Sequence, residues 1–260
     1  MIFKILLSLT LSISTLLALS GQEIAQKAHD RDEGDNITSN MRMTLIDKNG
    51  KKRVRELKSF SKDKGEDTLK LMFFLSPADV KDTGFLTYDY EDSAKDDDQW
   101  LYLPELKKVK RIASTDKSSA FMGSDFSYSD MTSRNVQDYK YKIMKEPEVG
   151  GHKTWQLLVT PISEDIIDET GYTKSIYFIR QDNFVAVQSL NYIKEGKKLK
   201  YVKVLGLEVI DGIWTVTKMQ AITKKGKKTL HKTVLDFSDT KYNQDLNEDF
   251  FTTRTIEKGL

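Results

Sequence analysis

From residue 41 onward, apolar and polar side chains alternate with a period of two. In 41–47, Met41, Met43 and Leu45 fall on one side and Arg42 and Thr44 on the other, the pattern of a strand with one buried face. Asn49 and Gly50 follow, a dipeptide that favours a two-residue hairpin turn. The alternation resumes in 52–63, 67–76, 84–92, 99–106 and 107–114, and again in 138–147, 152–161, 172–182, 184–196, 198–212, 213–226 and 227–243. Turn residues separate these runs: Pro104, Gly150-Gly151, Asp182-Asn183, Glu195-Gly196, Asp211-Gly212 and Lys225-Gly226. About a dozen closely spaced strands joined by hairpin-like turns predict a mainly β chain with an antiparallel meander. A large curved sheet, a sandwich and a barrel all satisfy that pattern. Helical character is confined to four stretches: 22–33, a part of 113–135, 161–170, and the tail from Leu246.

Many of the strands are apolar on both faces. In 69–75, Leu69, Leu71, Phe73 and Leu75 share one side, while Met72 and Phe74 share the other with Lys70. Trp100 and Tyr102 oppose Leu101 and Leu103, and Leu199, Tyr201 and Leu205 oppose Val202 and Val204. A sheet that is apolar on both sides has to be covered on both. With so few helical residues, the expected arrangement is a concave sheet closed by a couple of helices or loops. Its interior is then a filled core or a cavity, and periodicity fits either.

The first 20 residues stand apart. Lys4 precedes an apolar, Ser/Thr-spotted run from Ile5 to Leu19, and Ala18 and Ser20 occupy the −3 and −1 positions of a small-residue cleavage site. This reads as a secretory leader cleaved after Ser20, since a run of this length falls short of the ~20 residues a spanning helix needs. Its composition looks bacterial and directs the chain to the periplasm. The remainder, 21–260, shows no linker-like break and reads as one domain.

Charge and composition narrow the function. Forty-one basic and 39 acidic residues give a formal charge of +2, without the basic excess that nucleic-acid binding draws on. There is no cysteine, hence no disulfide, thiolate metal site, cysteine nucleophile or lipid-anchoring cysteine. His29, His152 and His231 are far apart and lack metal-ligand spacing. The acidic cluster Asp30, Asp32, Glu33 and Asp35 does not match calcium-loop spacing and reads as a solvated helix end; Asp96–Asp98 has the charge to hold a hard cation and reads as a solvated turn between two strands. No nucleophile elbow, phosphate-binding loop or dinucleotide fingerprint is present. The chain therefore reads as a non-enzyme without metal or cofactor. Lysine-rich turns at 51–55, 194–200 and 224–228, and the basic strand 107–111, serve as solvated edges or as contacts for anionic lipid headgroups or an acidic partner.

One segment breaks the pattern. Residues 118–132, SSAFMGSDFSYSDMT, hold two Phe, a Tyr, two Met and five Ser, with no Lys or Arg. Together with "WLYLP" (100–104) and "KKVKRI" (107–112), the stretch "FMGSDFSYSDM" (121–131) resembles the bacterial outer-membrane lipoprotein-sorting-like proteins, relatives of the periplasmic carrier LolA. The resemblance implies an incomplete, half-open antiparallel β-barrel of about eleven strands, with helices lidding its concave face and a hydrophobic cavity for acyl chains. It also implies a carrier of lipid or of lipoprotein acyl chains, monomeric, in peripheral contact with the membrane. Such a carrier would shuttle its load to the outer membrane beside an RND-type (MMPL-like) exporter. The alternative is an adaptor that docks on an envelope transport complex and carries nothing. In the carrier reading, 118–132 is a lid across the barrel mouth. Phe121, Met122, Phe126, Tyr128 and Met131 face the cavity, together with Leu71, Phe73, Trp100 and Tyr102 from the wall, while Gly123 and the serines let the lid flex. Methionine and aromatic side chains suit a site that accepts chains of varied shape.

Overall fold

The computed structural model describes residues 18–260, so the leader predicted at 1–20 lies, but for its last three residues, outside the described residues. Helix α1 (Gly21–His29) opens the domain. Ser20 caps it, accepting from the Glu23 backbone N–H while the Glu23 carboxylate accepts from the Ser20 N–H, which satisfies two of the amides that a helix start leaves free. Ile24 and Ala25 form its buried side. A side chain on Gly21 would meet the Tyr141 backbone at 3.0 Å, so α1 lies close against the sheet where a larger residue would press on β7.

Five hairpins follow, through β1 (Asn36–Asp47), β2 (Lys52–Lys64), β3 (Asp67–Ser76), β4 (Gly84–Asp89), β5 (Asp98–Leu103) and β6 (Lys108–Arg111). After a connection over 112–138 come β7 (Tyr139–Lys145), the stub β8 (Glu148–Val149), β9 (His152–Pro161) and helix α2 (Glu164–Thr170). The chain then runs through β10 (Tyr172–Arg180), β11 (Ala186–Ile193), β12 (Lys198–Ile210), β13 (Ile213–Lys225) and β14 (Lys228–Tyr242), and ends in α3 (Thr253–Lys258). Every alternating run of the sequence is a strand. The pattern misses only β8, whose two residues are too few to show a period.

All fourteen strands lie in one antiparallel sheet, in the order β6-β5-β4-β3-β2-β1-β14-β13-β12-β11-β10-β9-β7, with β8 paired to β9 alone. The sheet is mainly local hairpins, with one long-range seam where β1 pairs β14 from Ile37–Tyr242 to Asp47–His231. That seam places the two ends of the domain in the middle of the sheet. The two sheet edges are therefore β6 and β7, consecutive in the chain but unpaired. The result is a half-open barrel, with more strands than the eleven expected, and its opening is bridged by 112–138.

Three apolar clusters hold it. On the concave side, Met41, Met43, Leu45, Leu57, Phe74, Phe85, Leu101 and Leu235 surround Phe121 and Phe126 of the connection. On the opposite side, Leu69, Leu71, Phe73 and Leu86 lie under Phe251 and Ile256 of the C-terminal segment. The third cluster joins Ile24 of α1 to Tyr139, Leu157, Val159 and Ile179. The two-sided strand β3 is thus covered on both faces, as its composition requires.

Candidate functional site

The connection 112–138 is built from short 3-10 turns at Ser114–Asp116, Phe121–Gly123, Tyr128–Met131 and Val136–Asp138. Between them, Phe121 N–H donates to Phe126 O at 2.7 Å, closing a loop whose tip carries positive φ at Met122 (48°) and Gly123 (73°). Gly123 adopts this freely, whereas Met122 does so at a cost. The loop points its aromatic residues at the sheet. The Phe121 ring centre lies 4.9 Å from that of Phe85, 5.5 Å from Tyr128 and 6.2 Å from Phe74.

Polar groups fasten this loop to the sheet around its whole circumference. The Asp125 carboxylate, 1% exposed, accepts from His231 Nδ1 at 2.7 Å, Thr233 Oγ1 at 2.8 Å and Thr223 Oγ1 at 2.5 Å, tying the loop to β13 and β14. Arg55 of β2 donates to Met122 O at 2.6 Å and Gln99 of β5 to Tyr128 O at 2.9 Å. Asp89 of β4 accepts from the Ser133 N–H and hydroxyl at 2.8 and 2.9 Å and from Lys70 Nζ. The buried Lys117 reaches Glu169 of α2 at 2.6 Å. Ser124, Ser127 and Ser129 are buried and bonded within the loop: Ser124 Oγ accepts from Phe126 N–H, the Ser127 and Ser129 hydroxyls pair at 2.9 Å, and Asp130 caps the Ser127 N–H. The serines shape the turns and do not loosen them, because each one satisfies a buried polar group.

Asp130 leads to a second feature. Its carboxylate takes Lys200 Nζ at 2.7 Å, the Tyr172 hydroxyl at 3.0 Å and Arg134 Nη2 at 3.8 Å. Burial works against its charge, but Lys200 and Arg134 outweigh it and hold the carboxyl below the ordinary aspartate range. The Arg134 guanidinium lies 5.1 Å from the Tyr172 ring centre, 5.6 Å from Tyr177 and 5.9 Å from Tyr139, within cation–π range of all three. Burial pushes the Tyr139 phenol up to about 12 and raises Tyr172 and Tyr177 as well, so the cage around the guanidinium is neutral.

Beside this cage is a cavity of about 360 Å³. It is bounded by α1 through Ala25, Ala28 and His29, and by the C-terminal half of the connection through Phe126, Asp130, Thr132, Arg134 and Val136. The sheet contributes Tyr141, Leu157, Val159, Tyr177, Ile179, Val202 and Met219. Its wall is mainly apolar. The volume lies at the lower end of the ~300–1,000 Å³ typical of small-molecule sites. The concave face is thus divided: Phe121 and its neighbours fill the half over β1–β5, and α1 covers the half over β7–β13, where space remains.

The candidates from the sequence are distributed across this arrangement. Phe126 reaches the cavity wall. Phe121, Met122, Tyr128 and Met131 lie in or against the concave cluster next to it. Leu71, Phe73, Trp100 and Tyr102 lie in the opposite-face cluster under the C-terminal segment, away from the loop. Alternation tells which residues share a face but not which face is inward, and the inward set in these strands is Met72, Phe74, Leu101 and Leu103. The sequence reading missed Asp125, Asp130, Arg134, Tyr172, Tyr177 and Lys200. Tyr177 and Ile179 share the inward face of an alternating strand, which was a readable signal. Arg134 sits in a short polar loop and gave none.

This geometry has solved counterparts. A family model described as an uncharacterized protein matches residues 66–258. A DUF1329 family protein from Desulfovibrio piger is 31% identical with a TM-score of 0.82, over 91% of this chain and 97% of its own. An outer membrane lipoprotein-sorting protein domain from Vibrio parahaemolyticus is 30% identical with a TM-score of 0.82, over 91% and 98%. The chain belongs to this DUF1329, lipoprotein-sorting-like family. A LolA superfamily protein from Nitrosomonas europaea, 21% identical over 91% of this chain and 99% of its own, has the same fold at a TM-score of 0.68. The LolA-like half-barrel of the DUF1329 family is therefore the frame in which the loop and cavity sit. No curated protein matches the chain.

Proposed function

We propose that the protein is a periplasmic carrier that shields the acyl chains of a lipid or lipoprotein and shuttles them to the outer membrane beside an RND-type exporter. The observation that carries this is the apolar cavity between α1, the concave face and the connection, in a family with a lipoprotein-sorting member. An acyl chain loses about 0.8 kcal/mol per methylene on passing into water, so a soluble shuttle needs an apolar enclosure and a cover able to move. The connection has the position of such a cover, since it spans the one gap in the sheet. The leader-like residues 1–20 support export from the cytoplasm.

Native mass spectrometry with solvent extraction, on protein purified gently from periplasm, tests this reading. The expected result is a bound lipid in stoichiometric amount, whose mass gives its class. Protein that stays lipid-free there, and that takes up no lipid when mixed with vesicles of bacterial phospholipid, would overturn the carrier reading in favour of an adaptor on a transport complex.

A further inference from the structure

The wall of the cavity holds one cation, Arg134, that has no hydrogen-bond partner among the described residues. Ser175, Ser189 and Asn191 are hydrogen-bonded to one another at 2.8 and 3.1 Å. His29 lies 3.4 Å from both Asp30 and Glu91. Asp130 is taken by Lys200 and Tyr172. Arg134, by contrast, makes no hydrogen bond to another described residue, and its one ionic contact is the 3.8 Å approach to Asp130. Two cations, Arg134 and Lys200, share that single carboxylate within 4 Å; Arg134, 21% exposed, borders the apolar space on one side and a polar pocket with Asp97, Asp138 and Glu169 on the other. A guanidinium carries five N–H donors in a planar fork and stays protonated in proteins. Its three tyrosine neighbours offer ring faces, which attract the charge without accepting its N–H bonds in plane.

We propose that Arg134 is the head-group anchor of the cavity, which takes a single-chain anionic amphiphile. Its carboxylate or phosphate accepts from the guanidinium and its alkyl chain lies along Leu157, Val159, Ile179, Val202 and Met219. The proposal rests on the carrier reading and deepens it. A charge-assisted, bidentate contact with an anion is the strongest bond open to a guanidinium, and a low-dielectric wall makes it stronger than in water. The tyrosine cage fixes the plane of the fork in advance, so little side-chain entropy is lost when the anion arrives.

The test compares three probes of equal chain length on the mature protein by isothermal titration calorimetry, below their micelle concentrations: dodecanoate, dodecyl phosphate and dodecanol. The expected result is that at least one anion binds about tenfold or more tighter than dodecanol, with the better anion identifying the head group as carboxylate or phosphate. Arg134→Gln should then erase that preference while dodecanol binding remains, and Arg134→Lys should keep part of it. If dodecanol binds wild-type protein as tightly as either anion, the anchor is wrong and the apolar cavity stands. This comparison needs no variant, so a folding defect in Arg134→Gln leaves it decisive. An anion preference that survives in folded Arg134→Gln also overturns the anchor. If none of the three probes binds, the carrier reading falls together with the inference.

Discussion

Asp125 concentrates the tension in this site, because a carboxylate that is 1% exposed is tolerated only when its lone pairs are filled. Here two threonine hydroxyls and His231 fill them. Asp125→Ala would leave the buried Thr233 and the half-buried Thr223 and His231 without this acceptor, at a cost on the order of 1–3 kcal/mol. The loss should appear first in the loop. Limited proteolysis under native conditions is expected to cut the variant within 118–132 before the sheet unfolds, and protection equal to wild type would show that the aromatic contacts alone hold the loop. Asp97 offers a test by pH. Burial, reinforced by the nearby Asp89 carboxylate, pushes its carboxyl up to about 6 from 3.8. The folded state thus binds this proton more tightly than the unfolded chain, and stability falls as pH rises from about 4 to about 6. Asp97→Asn should flatten that part of the profile and stabilise the protein at pH 7 by at most about 3 kcal/mol. Chemical denaturation of both proteins at pH 4, 5, 6 and 7 isolates the difference; parallel profiles would refute it.

Among the elements, α3 shows how closely the outer layer is fitted. A Cβ added to Gly84 would lie 2.6 Å from the Ile256 Cβ, and Ile256 is 0% exposed. Gly84→Ala should therefore force α3 off β4, costing about 1–3 kcal/mol by overpacking. Because α3 covers the face away from the cavity, binding of an alkyl probe should be unchanged; a variant with normal stability or with lost binding would contradict this division. The same division marks what the sequence made readable. Alternation identified nearly every strand, and the two-sided β3 announced that both faces are covered. The Ser- and aromatic-rich segment stood out because it fits neither a strand nor a solvated loop. What alternation lacked was direction. The candidates Leu71 and Phe73 lie on the outward face and Met72 and Phe74 on the inward one, since the sense of each face is fixed by the β1–β14 seam and by which segment covers it. The anchors Asp125, Asp130 and Arg134 are hidden for a related reason: their partners, on β10, β12, β13 and β14, are brought near only by the curl of the half-open sheet.

At the scale of the whole molecule, the order of the strands gives the connection its role. A meander whose ends pair in the middle has to leave its edges at β6 and β7, and the chain between those edges has to cross the opening. Exposed edges invite pairing with other chains, so a covering segment is stabilising in itself. A carrier also needs that segment to move. The anchors set the two demands against each other: in the proposed carrier the polar contacts of the loop have to break together, so that it detaches as a unit while the hairpins persist. The chain has no cysteine, which allows a direct test. The Asp125 N–H meets Thr233 Oγ1 at 2.9 Å, so the paired substitutions Asp125→Cys and Thr233→Cys bring two thiols to adjoining positions on loop and sheet. Oxidation of this variant, loaded with a fluorescent fatty acid, should slow release to acceptor vesicles by about tenfold or more, an effect on the off-rate. Reduction should restore the rate, with the amount bound unchanged throughout. The reduced protein is the control for losing the Asp125 bonds. Equal release from the oxidised and reduced forms would mean that the load leaves by another route, between α1 and β7, and that the connection is a fixed wall of the barrel.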